Sequence, residues 1–249
     1  VLAYQIIRHS CSLLLRNWRA FLTIAALPAL LLVLSNTLRI KFINAKFAPD
    51  PYAAAPSPGL LILSALLTLA SLLWVAVGWH RFVLLNEPPR LLPRIMPGRM
   101  LAYLGYSILI SLLLLLILGP VLFLLAFSVN MASPPGRILL FLLSVGVTVI
   151  ALRLGAGLPG AALGEHDPLA RAWQATKNHL GVFVLLAFIC ILARHLMSYL
   201  VIQGLIAMPD SEPLTIGLIA TVVDGLVAMI SLSVLTTLQG YFVQGRSLG

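Results

Sequence analysis

Six long stretches of Leu, Ile, Val, Ala and Phe set the limits on what this chain folds into. They run at about 19–38, 59–79, 101–127, 137–158, 180–206 and 214–240, and each ends at charge, proline or glycine. A helix crossing a membrane needs about 20 consecutive apolar residues, so six crossings use roughly 120. The chain has 249 residues, which leaves connections and no sizeable soluble domain. The stretches are continuously apolar rather than alternating, which argues against a β-barrel. Apolar residues make up 61% of the chain and charged ones 9%, with a mean hydropathy of +1.06. An ordinary soluble domain has about 45–50% and about 25%, and a soluble fold of the present composition would expose large apolar patches. The sequence predicts an all-α polytopic membrane protein in which residues 1–249 form a single integral membrane domain.

Sixteen Lys and Arg against seven Asp and Glu give a formal charge of +9. In a soluble protein that balance would raise nucleic acid as a partner. Here topology accounts for it, because basic residues gather on the cytoplasmic side of membrane proteins and meet anionic lipid there. Arg8, Arg16, Arg19, Arg81, Arg90, Arg94, Arg99, Arg171, Lys177 and Arg246 fall on one side of the six spans. Arg39, Lys41, Lys46 and Arg137 fall on the other, with the acidic turn Asp210–Glu212. The expectation is that both termini are cytoplasmic and that nucleic acid is not a partner. The outer loop from Arg39 to Pro58 is proline-rich and reads as an extended surface segment. Cys11 and Cys190 indicate neither a disulfide framework nor a zinc site. Arg8, His9 and Arg16 interrupt the first residues, unlike the apolar centre of a signal peptide.

The connections on the basic side resemble one another. Phe82 to Glu87 is followed by Pro88 and Pro89, and Ala161 to Glu165 by His166, Asp167 and Pro168. The tail Phe242 to Gly245 falls where a third copy would end, so three pseudo-repeated hairpins of about 80 residues are one organisation the sequence allows. Short amphipathic helices are expected at about 2–17 and 168–179. In the first, Gln5, Arg8, Ser12, Arg16 and Arg19 share a face opposite Leu2, Ile6 and Leu13. In the second, Leu169, Trp173, Thr176 and Leu180 oppose Arg171, Gln174 and Lys177. Asp167 is the expected N-cap, with Pro168 at the first helical position. Such helices lie in the membrane interface with cations near phosphate, which makes Arg8, Arg16, Arg19, Arg171 and Lys177 candidate lipid-headgroup contacts. The intervening copy, Arg90 to Met100, is broken by Pro93, Pro97 and Gly98.

The basic interfacial helix leading into a span carries one part of a resemblance. The stretch from Trp79 through His80, Arg81 and Phe82 to Glu87 carries another. The run Leu158-Pro159-Gly160-Ala161-Ala162-Leu163-Gly164, followed by Ala172-Trp173-Gln174-Ala175-Thr176-Lys177-Asn178, carries the rest. Together they make the chain similar to bacterial six-helix inner-membrane proteins. These are related to the membrane domain attached to some glycerophosphodiester phosphodiesterases, and to the YciC-like proteins. The resemblance implies the six-helix fold and a bacterial inner membrane. It implies no reaction, because the phosphodiesterase chemistry belongs to a separate soluble barrel.

Few polar residues fall inside the spans. Arg194 lies roughly 21 Å from the inner boundary and Asp224 roughly 15 Å from the outer one, at the rise of an α-helix. In a core of about 30 Å these depths meet within the reach of an arginine, so an intramembrane Arg194–Asp224 ion pair is expected. Cys190, Arg194 and Ser198 recur at helical spacing, as do His195, Tyr199 and Gln203, while Thr221, Asp224 and Ser231 share a face of the last span. This polar stripe reads either as a path through the membrane or as interhelical glue, and the lack of a second carboxylate favours glue. Arg153 is close enough to the boundary to snorkel. Glu165-His166-Asp167 reads as a charged turn. No ligand spacing indicates a metal or cofactor, and no phosphate loop, His-Glu-x-x-His or Gly-x-Ser-x-Gly motif is present.

The expectation is therefore a non-enzymatic integral membrane protein, an accessory, scaffold or assembly component of a larger inner-membrane complex. Anionic lipids and that complex, or a homo-oligomer, would be its partners. The alternative is a small carrier or lipid-handling protein using the polar path around Arg194 and Asp224.

Overall fold

A computed structural model describes residues 1–46, 57–91, 94–128, 130, 133–206 and 213–248. It is 86% helical, and no strand occurs among the described residues. Six helices are long and apolar enough to cross a membrane, which makes this a multi-pass membrane protein. In chain order the helices are α1 (Leu2–Arg16), α2 (Trp18–Lys46), α3 (Pro58–Leu85), α4 (Pro97–Ser128), α5 (Pro134–Gly155), α6 (Leu158–Leu163), α7 (Pro168–Ala175), α8 (Leu180–Ile206) and α9 (Pro213–Leu238). A π-helical turn, Gln239–Val243, ends the last span.

Proline and left-handed residues set many of the boundaries. Pro58, Pro97, Pro134, Pro168 and Pro213 open helices, where the missing N–H has no intrahelical partner to lose. Asn86, at φ 55°, stops α3, and Gly164, at φ 88°, stops α6. The α3 helix therefore runs to Leu85, beyond the expected end at 79, and carries Trp79, His80 and Arg81 as its last full turns. Asp167 does hold the N-cap position of α7, but its backbone is left-handed (φ 48°) and its side chain accepts no cap bond. The amphipathic helix expected over 168–179 stops at Ala175, with Thr176 as its C-cap.

Lipid tails are as apolar as leucine, so membrane helices associate through close packing and interhelical hydrogen bonds. The α2–α3 seam is built that way. Ser35 donates to the Ser64 carbonyl at 2.7 Å and accepts from the Thr68 hydroxyl at 2.6 Å. One turn further along α3, Ser71 donates to the Pro28 carbonyl at 3.0 Å. Gly78 ends the seam, where a Cβ would come within 2.9 Å of Ile24. Ser35→Ala is expected to destabilise the protein by about 1 kcal/mol, read as unfolding in detergent. Leu34→Ala, one residue away on the exposed side, should stay within about 0.5 kcal/mol of wild type.

The buried side chains concentrate at one end, the basic end. One cluster joins Ala3 and Ile6 of α1 to Phe183, Leu186 and Ala187 of α8 and Val234 and Leu238 of α9. A second joins Ala76, Tyr103, Leu158, Ala162 and Leu169 across α3, α4, α6 and α7. A third packs Trp79 with Ile24, Val75 and Met229. The expected stripes of α1 and α7 are thus buried only in part, and in protein. Ile6 of the first is buried, while Leu169 and Thr176 of the second are buried and Trp173 and Leu180 are exposed. The unexpected Ser10 and Ala172 are buried beside them. The three expected hairpins are not packed alike. The α2 and α3 helices lie along one another, whereas α8 packs on α5 and α1, and α9 packs on α1, α2 and α3.

Candidate functional site

Two places hold polar groups that the membrane would make expensive. The first is the half of α8 farther from the basic end. Phe183 and Ala187 are fully buried on one line of this helix, and Cys190 on the same line is half-buried. Helical periodicity continues that line to Arg194 and Ser198. Arg194 and Ser198 are exposed, and so are His195, Tyr199 and Gln203 beside them. The protein-facing side of α8 thus becomes an open polar face about halfway along.

The expected partner face on α9 does not act as a unit. Thr221 is half-buried and accepts from Asn36 Nδ2, which ties α9 to α2. Ser231 is exposed and donates to its own helix at the Val227 carbonyl, 2.8 Å away. The Asp224 side chain lies outside the described residues, and so does its pairing with Arg194. Among the described residues Arg194 makes no ion pair.

The second place is the basic end, where charge is satisfied inside protein. Glu165 accepts from Arg171 at 2.9 Å, from Gln239 Nε2 at 3.1 Å and from Gln244 Nε2 at 3.4 Å. It thereby fastens the α6–α7 turn to the π turn. Glu87 accepts two bonds from Arg81, whose Nη1 also reaches the Ala162 carbonyl at 3.3 Å. Arg246 donates to the Leu84 carbonyl at 2.6 Å and so satisfies the open C-terminal end of α3. The two glutamates that suggested a repeat therefore do the same job, each bound to an arginine beside a helix terminus. Arg8, Arg16, Arg19 and Lys177 are exposed, as a headgroup contact requires. Arg171 is exposed too, but it is shared with Glu165.

Arg153 corrects an expectation. It does not snorkel to the membrane surface but is 8% exposed. Its guanidinium lies 3.7 Å from the centre of the Trp173 ring, Nε donates to Thr176 Oγ1 at 3.1 Å, and Nη2 donates to the Trp173 carbonyl at 3.2 Å. The α7 helix folds back onto α5 and supplies the partners that water would otherwise have supplied.

Sequence reasoning missed one cluster. His80 is fully buried, with Nδ1 2.8 Å from Thr236 Oγ1, Nε2 3.4 Å from the Tyr103 hydroxyl and its ring stacked on Tyr103. It links α3, α4 and α9. A signal was present: His80 shares a helical face with Leu73, Ala76, Val77 and Leu84, a core face rather than a surface one. Among the described residues no three His, Cys, Asp or Glu side chains come close enough together to hold a metal ion. Chemically, the basic end is a set of satisfied clamps, and the α8 face is a set of donors still open to an acceptor. Comparison of the chain with protein families, with curated proteins and with solved structures finds no match.

Proposed function

We propose that this chain is a non-enzymatic component of a larger membrane assembly, and that the open face of α8 takes a membrane-spanning helix bearing a carboxylate. One observation carries the reading: Arg194 is exposed about midway along a 27-residue apolar helix, on the continuation of its buried face. A charge facing lipid at the bilayer centre costs about 2.5–3.5 kcal/mol on insertion scales. Lipid phosphate and water are at the bilayer surface, too far to relieve that cost. A partner carboxylate at the same depth relieves it, and the neighbouring His195, Ser198 and Tyr199 offer further polar groups for hydrogen bonding across the contact.

The remaining placement belongs to the same proposal. The charge bias supports a basic end that faces the cytoplasm together with both termini. A bacterial inner membrane is part of the same proposal and rests on the motif resemblance of the Trp79–Glu87 and Leu158–Asn178 stretches alone.

The test is native mass spectrometry after gentle extraction into lipid nanodiscs, with wild type beside Arg194→Leu. The expected result is a stoichiometric second chain bound to wild type and lost from Arg194→Leu, with the thermal midpoint of the isolated chain unchanged. A lone 26.9 kDa chain carrying only lipid would overturn the reading. So would a homo-oligomer joined through Arg194. The combined variant Arg194→Asp with Asp224→Arg separates the remaining case: if it restores a fold lost in each single variant, the pair lies within the chain and the open-face reading fails.

A further inference from the structure

A cavity of about 240 Å3 opens at the basic end, between the start of α2, the last turns of α3 and the connection into α4. Part of its lining is apolar, from Ile24, Val77, Phe82, Met96 and Met100. The polar part carries Arg81, Arg90 and Arg94 against a lone carboxylate, Glu87. Arg81 and Glu87 are committed to one another, and Arg81 also to the Ala162 carbonyl. Arg90 and Arg94 are exposed and have no hydrogen bond or ion pair among the described residues. Trp74 also lines the cavity; its indole N–H is shielded from solvent and without an acceptor. Two side chains that only donate, Arg90 and Arg94, therefore line one hollow, and its single carboxylate is already bound.

We propose that this cavity binds a phosphate group, held by Arg90 and Arg94, with the Arg81–Glu87 pair as a fixed wall and the Trp74 ring beside it. The site is independent of the α8 face. The planar donors of arginine match phosphate oxygens in pairs. Size limits the ligand. The cavity holds about eight water volumes at ~30 Å3 each and falls below the ~300–1,000 Å3 of sites for drug-sized molecules. It encloses a phosphate group, and whatever the phosphate is attached to extends out through the open side.

Such a phosphate has two sources, a phospholipid headgroup and free phosphate. The apolar wall and the position at the end of the membrane spans favour the lipid, whose glycerol backbone would lie along Met96, Met100 and Phe82.

The experiment uses the full chain in dodecyl maltoside, a detergent without phosphate. It is titrated separately with dioleoyl phosphatidylglycerol, with dioleoylglycerol and with inorganic phosphate. Binding is read by native mass spectrometry and by tryptophan emission. Phosphatidylglycerol is expected to bind and dioleoylglycerol not to. Arg90→Gln with Arg94→Gln should weaken binding about tenfold or more, as loss of charge-assisted bonds does. Arg8→Gln with Arg16→Gln removes the same charge from α1 and should leave binding unchanged. Trp74→Phe should abolish most of the emission change. Phosphatidylglycerol binding well above inorganic phosphate identifies a lipid site, and equal binding identifies a free-phosphate site. The proposal is overturned if neither ligand binds, if dioleoylglycerol binds as well as phosphatidylglycerol, or if the Arg90/Arg94 variant binds like wild type. Both arginines are exposed, so their replacement leaves the unfolding midpoint in place.

Discussion

Gly157→Ala is expected to destabilise the protein by about 3 kcal/mol, the upper end of the range for overpacking a core. A Cβ at this position would stand 2.4 Å from the Pro168 carbonyl oxygen, 2.7 Å from its carbon and 3.0 Å from the Leu169 nitrogen. All three are backbone atoms at the start of α7, and backbone cannot rotate aside as a side chain does. The α6 and α7 helices must separate instead, which opens the cluster around Leu158, Ala162 and Leu169. Gly164→Ala provides the contrast. There the displaced group is the flexible Arg99 guanidinium, and the main penalty is the left-handed backbone at φ 88°, about 1–2 kcal/mol. Gly146→Ala meets nothing within 4 Å and should fall within about 0.5 kcal/mol of wild type. Thermal unfolding of the three purified variants gives the order. A Gly157→Ala protein as stable as Gly146→Ala would mean that α6 and α7 are not docked together.

The same turn shows what a sequence of this kind can and cannot disclose. Apolar length alone located all six spans, because the requirement is imposed by the bilayer and not by other parts of the chain. The amphipathic stripes of α1 and α7 were legible for a related reason, since a buried face leaves its period in the residues. What covers a face is not encoded in that period. Leu169 and Thr176 read as membrane-facing with Trp173 and Leu180, yet the first two are packed in protein and the other two are exposed. His80 and Arg81 read as the polar end of a span, yet α3 continues through them because Thr236, Glu87 and Ala162 supply partners from elsewhere in the chain. Polarity in the sequence says only that a side chain needs a partner.

The candidate sites follow the same division. The polar residues of α8 were identified from spacing, and Arg194 does share a line with the buried face of its helix. Whether that line is covered is a tertiary fact. The phosphate cavity was not legible at all. Its residues come from three elements, and Arg90 and Arg94 lie in a connection whose proline breaks hide any period. The sequence counted these arginines toward topology, and the fold places them around a hollow beside an unpartnered indole.

Arg153 offers the sharpest test of how α7 is held. Arg153→Met keeps most of the volume and removes the charge, and it is expected to destabilise the protein by about 3 kcal/mol. A desolvated cation–π contact contributes about 2 kcal/mol, and hydrogen bonds from a charged donor about 1.5–3 kcal/mol. These share one side chain and do not add in full. Trp173→Leu should also be costly, because it strips the aromatic face from a guanidinium that is 8% exposed. The informative quantity is the coupling between the two. If the contact is made, the double variant should be about 1–2 kcal/mol less damaged than the two losses combined. Limited trypsin digestion gives an independent readout: cleavage at the exposed Lys177 should accelerate in either single variant, because α7 is the segment released. A snorkelling Arg153 predicts near-zero coupling and unchanged cleavage. In that case α7 would be held by Leu169 and Ala172 alone, and the charge would return to the bilayer surface where its depth first placed it.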